Sequence, residues 1–464
     1  VQLVFLWPDR LIFLLVAAAV AFAVYASRHE HLRGPWRQVA RRPLAMGAAV
    51  VLGAYVAVGL LDSVHFRARL AESTSATARY SAEVKSLLDV LAEPLRARME
   101  RTYSAPFATH AYTKETVEWP DGRRTREYPA LQYGGAHLAD PAQAPGDIAR
   151  RSLMAAGATL GLLTVLVGGF VAVWQRGQGS YGQRLRRLLS GDTEMPWRTI
   201  WVTAGVLLFL AVWVVSLATR YHIFGTDQVG QDVFYKSLKS VRTGLVIGML
   251  TTLVMLPFAV LFGVMAGYFR GWVDDVIQYT YTTLSSIPGV LLIAAAILSL
   301  QVYMATHPDE FDNVAARADT RLLFLCLILG VTSWTGLCRL LRGEALKLRE
   351  ADYIQAARAL GVSHARVMTR HILPNVMHIV LITIVLDFSG LVLAEAVLSY
   401  VGVGVDPSTE SWGNMINGAR LEMARDPMVW WSLASAFVMM FALVLSANLF
   451  ADAVRDAFDP RLRK

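Results

Sequence analysis

Nine runs of mostly apolar residues punctuate this 464-residue chain, and they restrict its fold more than any other feature. They are Leu11–Ala26, Leu44–Leu61, Leu153–Trp174, Ile200–Leu217, Leu245–Phe269, Pro288–Tyr303, Leu322–Leu341, Ile379–Val397 and Trp430–Leu449. A helix of about 20 such residues crosses the hydrocarbon layer, with about 17–25 tolerated. Leu11–Ala26 is short for a span. Pro257 lies inside Leu245–Phe269 and is expected to bend it, because proline removes a backbone donor. The chain is 55% hydrophobic and 17% charged, with a mean hydropathy of +0.42, whereas soluble domains carry about 25% charged residues. The expected fold is an all-α polytopic membrane protein with about nine transmembrane helices.

Charge in the connecting segments sets an orientation. Residues 27–43 carry Arg28, Arg33, Arg37, Arg41 and Arg42, and residues 175–198 carry Arg176, Arg184, Arg186, Arg187 and Arg198. Residues 342–370 carry Arg342, Lys347, Arg349, Arg358, Arg366 and Arg370, and the chain ends Asp459-Pro460-Arg461-Leu462-Arg463-Lys464. With nine spans, all four segments fall on one face, the cytoplasmic one, with the N-terminus outside. Without Leu11–Ala26 as a span the N-terminus is cytoplasmic and the other placements survive. The net charge of +8 follows this positive-inside pattern, so no nucleic acid is expected as a partner. Cys326 and Cys338 both lie in one apolar run and read as buried thiols, not as a disulfide framework. No cleavable leader is expected, since the N-terminus lacks a basic stretch and a small-residue cleavage site.

Residues 62–152 then form an external region between two spans. Within it, Val84, Leu87, Leu88, Leu91 and Leu95 recur at helical spacing along Ala76–Arg101. Trp119-Pro120-Asp121-Gly122 and Gly134-Gly135 are turn signals. No catalytic constellation stands out there. The organisation expected is an N-terminal transmembrane hairpin (1–61), the external region (62–152), an extra span with a cytoplasmic loop (153–198), and a core (199–464).

The most specific cytoplasmic element is residues 355–374, a basic stretch between two apolar runs. Arg349–Leu360 is rich in helix formers, and Gly361 stands where a left-handed helix stop is wanted. Ser363 is placed to cap a second helix, which Pro374 is expected to end or bend. Two short helices meeting at a glycine make a rigid knob, and Ala356 and Ala357 are small enough for another backbone to approach. A helix laid in a groove is a standard recognition mode. The plainer alternative is an ordinary basic loop.

This stretch resembles the cytoplasmic loop of bacterial binding-protein-dependent ABC permeases: Glu-Ala-Ala, three residues, Gly, nine residues, then Ile-x-Leu-Pro. Gln355 stands in place of the Glu, Ala356, Ala357, Gly361, Leu373 and Pro374 match, and His371 occupies the Ile position with Ile372 following. Gly225-Thr226-Asp227-Gln228-Val229-Gly230-Gln231-Asp232 resembles the Gly-Thr-Asp-x-x-Gly-Arg-Asp signature of the dipeptide, oligopeptide and nickel permeases, with Gln231 replacing Arg. Further matches are Ala266-Gly267-Tyr268, Gly271-Trp272-Val273-Asp274, the run Leu393 to Gly404, Ser411-Trp412-Gly413 and Asp459 to Arg463. The likeness covers residues 200–464 and is to the second-subunit type, with an N-terminal extension.

The resemblance implies a type I importer core that pairs with a second permease subunit, two ATP-binding subunits and an external solute-binding protein. Substrates would be short peptides or, as the alternative, nickel or another metal chelate. No Gly-x-x-x-x-Gly-Lys-Ser/Thr loop is found, so the chain is expected to bind no cofactor and to be no enzyme, with ATP and Mg on the partner subunits.

Asp387 and Glu395 fall inside Ile379–Val397, where an ionised carboxylate costs about 2.5–3.5 kcal/mol on insertion scales. Each should face a neighbouring helix, a polar cavity or the membrane surface. Glu395 lies in the family motif and suits structural pairing. Asp387 is a candidate to line the translocation path or to bind a peptide's amino terminus. His364, His371 and His378 recur every seven residues, but Pro374 interrupts them and surface histidines are the simpler reading. Trp174, Trp197 and Trp430 suit interfacial anchors. Two other classes compete: an intramembrane hydrolase using Asp387 or Glu395, for which no second catalytic member is found, and a sensor binding a ligand through residues 62–152.

Overall fold

A computed structural model describes residues 2–4, 6–69, 80–118, 124–173, 180–308 and 314–458. Nine helices among the described residues are long and apolar enough to cross a membrane. The first is Trp7–Arg28, whose 22 residues reach about 33 Å at about 1.5 Å per residue. Leu11–Ala26 is therefore only the centre of a helix of full span length. Val233–Phe269 is one helix with Pro257 inside it. Pro288 stands at the N-cap of Gly289–Thr306. The chain divides into two compact units: the described residues of Val1–Val4, Trp36–Arg242 and Glu410–Phe450, and those of Phe5–Pro35, Thr243–Thr409 and Ala451–Lys464.

In the first unit, Trp197–Ala218 packs beside both Pro43–Ser63 and Ala144–Val173. Lipid gives no hydrophobic drive to pair helices, so small residues and polar contacts set these interfaces. A Cβ on Gly205 would lie 3.1 Å from Leu163 Cδ2, and one on Gly47 would lie 3.3 Å from Thr203 Oγ1. Trp213 Nε1 donates to Ser152 Oγ at 2.9 Å, and the tilted rings of Trp197 and Phe170 meet with centroids 4.7 Å apart. Leu153, Leu160, Val165, Val202, Val206 and Leu210 remain exposed on these helices, as lipid-facing residues do.

The segment between Pro43–Ser63 and Ala144–Val173 carries strands that the helical spacing does not announce. Gln2–Val4, His65–Arg69 and Tyr80–Ser86 form an antiparallel three-stranded sheet in that order, with His65 opposite Ser86 and Arg67 opposite Val84. The helix expected over Ala76–Arg101 is thus corrected: from Tyr80 it is a strand, then two short helices, Leu87–Leu91 and Glu93–Arg96. Pairing with a neighbouring strand outweighs the weak 3.6-residue periodicity. Ser86 closes the strand and opens the helix through a capping box with Asp89. Leu88 and Leu95 are buried, Leu95 in a cluster with Tyr221, Ile223 and Phe234. Glu115–Glu118 and Arg124–Glu127 form a second, two-stranded sheet. The expected turn Trp119-Pro120-Asp121-Gly122 lies outside the described residues, as do Trp174 and the motif Asp459 to Arg463.

In the second unit, the backbone N–H of Trp7 donates to Asp319 Oδ2 at 3.2 Å, where Trp7–Arg28 meets Val314–Ser333. A core of Met255, Tyr268, Tyr281, Leu337, Cys338, Leu341, Ala345, Ile354, Val367 and Ile372 supports the basic stretch. Cys326 and Cys338 are both free and buried.

Three details of that stretch differ from expectation. Helix Thr335–Arg349 ends before the knob, which begins afresh at Asp352–Ala359. Ser363 occupies the next N-cap, but its side chain accepts no capping hydrogen bond. Pro374 does not end a helix. It sits in the first turn of Leu373–Tyr400, directly after a π-helical turn over Met368–Ile372. A widened turn accommodates a ring that would otherwise press on the carbonyl four residues back, so one 37-residue helix runs His364–Tyr400.

Candidate functional site: a capped inner knob and a buried outer clasp

In the second unit, the knob is built by a Schellman stop. Gly361 adopts φ +79°, its N–H reaches Arg358 O at 3.0 Å, and that of Val362 reaches Ala357 O at 3.1 Å. Ile354 and Ala357 face inward, whereas Gln355, Ala356, Arg358, Ala359 and Leu360 face solvent. Leu360 is 85% exposed, a bare apolar tip that the sequence reading passed over. Gln355 Nε2 donates to Glu350 O at 3.1 Å, a bond that an ionised Glu cannot make. Arg349, Glu350, Gln355, Arg358, Gly361, Ser363 and His364 surround an open depression of about 780 Å³.

Motifs far apart in sequence converge beneath this knob. Tyr268 OH and His364 Nδ1 are 2.7 Å apart. Arg342 grips Asp274 with two hydrogen bonds, Nε to Oδ1 at 2.6 Å and Nη2 to Oδ2 at 2.7 Å. Gly267 lets two helices touch, since a Cβ there would lie 2.5 Å from Ala345 Cβ. Ile372 is fully buried, anchoring the end of the stretch, while Leu373 is partly covered and Pro374 exposed. Arg342, Ala345 and Ile354 are the supporting residues that sequence reasoning missed. His371 accepts a backbone hydrogen bond from Asn375 at 2.6 Å, and no group of metal-ligating residues occurs among the described residues.

The two carboxylates of Leu373–Tyr400 differ. Glu395 is buried, and its Oε1 accepts from Ser399 Oγ at 2.7 Å. Gly402, at φ +88°, ends this helix as Gly361 ends the knob, and Gly404 passes close over Ser399. Asp387 is half-buried at mid-helix.

In the first unit, the Gly225–Asp232 signature is a buried clasp. Gly225 and Gly230 both have positive φ, +65° and +78°, and a Cβ on either would collide with Ser104 O at 2.2 Å or Glu100 O at 1.9 Å. Thr226 Oγ1 donates to Thr102 O at 2.8 Å and accepts from Ser104 N at 2.7 Å. Asp227 Oδ1 accepts from the amides of Val229 and Gln231, and its Oδ2 accepts from Lys236 Nζ at 2.9 Å. Asp232 caps the helix that follows by accepting from Tyr235 N at 3.0 Å. Its other oxygen is 2.8 Å from His222 Nδ1. Trp431, absent from the sequence expectations, donates from Nε1 to Thr226 O at 2.9 Å.

His222 sits between Asp232 and Glu100, whose Oε1 lies 3.4 Å from Nε2. Glu100 also accepts backbone hydrogen bonds from Gln132, Tyr133 and Gly134 at 2.8, 2.8 and 3.0 Å. Burial opposes charging of His222, but the hydrogen bond it donates to Asp232 and the nearby Glu100 carboxylate outweigh it and push its pKa up to about 9. Burial likewise opposes ionisation of Glu100, yet His222 and the three amides pull its pKa down to about 2. The clasp therefore holds an imidazolium between two carboxylates, and it ties Glu100, Thr102, Ser104 and the amides of Gln132, Tyr133 and Gly134 to the signature loop. No sequence pattern marks Glu100 or His222, because their partners are far away along the chain.

A family model described as "Binding-protein-dependent transport system inner membrane component" matches residues 259–464. The chain is 31% identical over 242 residues to an oligopeptide transport system permease protein, OppC, of Mycobacterium bovis, covering 52% of this chain and 77% of that one. It is 30% identical over 302 residues to a glutathione transport system permease protein, GsiD, of Pectobacterium atrosepticum, covering 59% and 93%. A dipeptide transport system permease protein, DppC, of Lactococcus lactis is 28% identical over 240 residues, covering 52% and 64%. With nine span-length helices among its described residues, this chain belongs to the family of binding-protein-dependent transport system inner membrane components, as a multi-pass protein of the bacterial inner membrane.

Proposed function

We propose that this chain is the second-type permease subunit of an ATP-driven importer of di- or oligopeptides. It lines the translocation path together with a second permease subunit. Two ATP-binding subunits, which hold ATP and Mg, dock on the cytoplasmic knob, and an external solute-binding protein delivers the cargo. The observation that carries this reading is the knob: a glycine-stopped helix whose outward residues Gln355, Arg358 and Ala359 border an open depression, while Ala356 and Leu360 are also exposed. Its inward residues, Ile354 and Ile372, are locked into the core that continues into the spans. Such an element transmits displacement instead of absorbing it. ATP shifts the inward–outward equilibrium only by binding the two states unequally, and the knob is the part through which that difference reaches the spans.

In this reading residues 199–464 are the permease core, 342–374 its coupling loop, and 62–152 an external region between extra spans within 1–198. Gly225, Thr226, Asp227, Gly230 and Asp232 organise the outer side against Glu100, Thr102 and Ser104, so that a docking binding protein meets the extension first. Glu395 is structural and Asp387 lines the path. The relatives' names speak of peptides and glutathione, so peptide uptake is the primary assay, with uptake of a nickel complex as the competing one.

The test is Gly361→Val. A Cβ at Gly361 meets nothing within 4 Å, so the cost is that of the left-handed backbone, about 1–2 kcal/mol, and is confined to the stop. Co-purification with the ATP-binding subunits, or substrate-stimulated ATP hydrolysis in liposomes, is expected to fall, while Gly361→Asn retains most of both. Unchanged uptake and co-purification in the Val variant would refute the docking role.

A further inference from the structure

Asp387 differs from the paired carboxylates of the span helices and lies at the middle of its own. Fourteen of the 28 residues of Leu373–Tyr400 precede it, which puts it about 21 Å from the start of that helix. Elsewhere, Asp62 accepts from Lys239 at 2.7 Å, Asp147 from Arg151 at 2.7 Å, and Glu395 from Ser399 at 2.7 Å. Asp387 makes no hydrogen bond or ion pair among the described residues.

The space beside it is open. Gly390, one turn on and on the same face, has nothing within 4 Å of where its Cβ would be. Leu386, Leu393 and Val397 continue this uncovered face. Lipid cannot be what covers all of it, because a mid-span carboxylate against hydrocarbon costs about 2.5–3.5 kcal/mol even on the mildest scales. The group therefore faces a polar passage or a cation. The missing side chain at Gly390 leaves room beside the carboxylate for a small cationic group.

We propose that Asp387 is a transient binding site for the α-ammonium group of the peptide in transit; this rests on the peptide-permease reading above. A partnerless carboxylate recognises a free amino terminus in any peptide, whatever its side chains. Half-burial makes the contact stronger than in water but leaves it reversible. No covalent step is involved.

The experiment uses the chain assembled with its partner subunits and binding protein in liposomes, with trialanine and N-acetyl-trialanine as probes. Capture of each peptide by the binding protein is measured separately. In Asp387→Asn the saturated uptake rate of trialanine should fall about tenfold while that of N-acetyl-trialanine stays within twofold. Asp387→Glu should restore the preference for the free amine. Equal losses for both peptides, or no loss for either, overturn the proposal. So does failure of Asp387→Asn to co-purify with the second permease subunit, which would make Asp387 a subunit contact. A wild-type complex that imports neither peptide refutes the peptide-permease reading, and this proposal with it.

Discussion

Replacing His222 with Ala removes the cation from between Asp232 and Glu100 and leaves two buried carboxylates facing each other. The magnitude follows from the proton. His222 is 4% exposed, and the rise of its pKa from 6.5 to about 9, at about 1.4 kcal/mol per pH unit, corresponds to about 3 kcal/mol of clasp stability. A histidine with a raised folded pKa stabilises fully below its unfolded value, and that stabilisation is lost as pH rises from 6.5 through about 9. Glu100 has the opposite sign. Its stabilisation is complete above 4.5 and is lost as pH falls towards about 2. The clasp should therefore be tightest between about pH 4.5 and 6.5. The assay is hydrogen exchange at the Gln132, Tyr133 and Gly134 amides, which Glu100 holds, in detergent-solubilised protein and corrected for the intrinsic pH dependence. At pH 6, His222→Ala should speed their exchange about a hundredfold. Wild-type protection should fall between pH 6.5 and 9, whereas the variant should show no such slope. Less than a fivefold effect at pH 6, or a wild-type profile flat to pH 9.5, would refute the charged clasp.

Two further outcomes follow from close contacts. Gly230→Ala would put a Cβ 1.9 Å from Glu100 O at φ +78°; the left-handed backbone alone costs about 1–2 kcal/mol, so residues 98–135 should become at least tenfold more susceptible to protease. Arg342→Ala strands Asp274 beneath the knob and should cost about 1–3 kcal/mol, read as a lower melting temperature in detergent. Arg342→Lys should recover only part of it, because an ammonium cannot supply the paired hydrogen bonds. Full recovery by Lys would mean that charge, not the forked geometry, matters there.

Much of the architecture is legible in the chain because it depends on neighbours in sequence. An apolar run such as Ile200–Leu217 must become a helix wherever it sits in lipid, and it lies within Trp197–Ala218. Gly361 is readable as a helix stop because a left-handed residue is a local demand. The same local reasoning failed at Tyr80–Ser86, where a partner strand some fifteen residues earlier decides the conformation. At Pro374 it allowed an end or a bend, and the end does not occur because the adjacent π turn supplies the room that the proline needs.

By itself the sequence determined a many-span membrane protein with an ordered series of family motifs, since hydropathy, charge bias and glycine stops are properties of short windows. Only the tertiary structure decided what those motifs touch. Asp274 finds Arg342, Tyr268 finds His364, and Glu100 with Asp232 encloses His222. Each of these contacts closes a loop of many residues. No local periodicity encodes such a pairing; it exists because packing brings the groups together and because a buried charge is costly to leave without a partner.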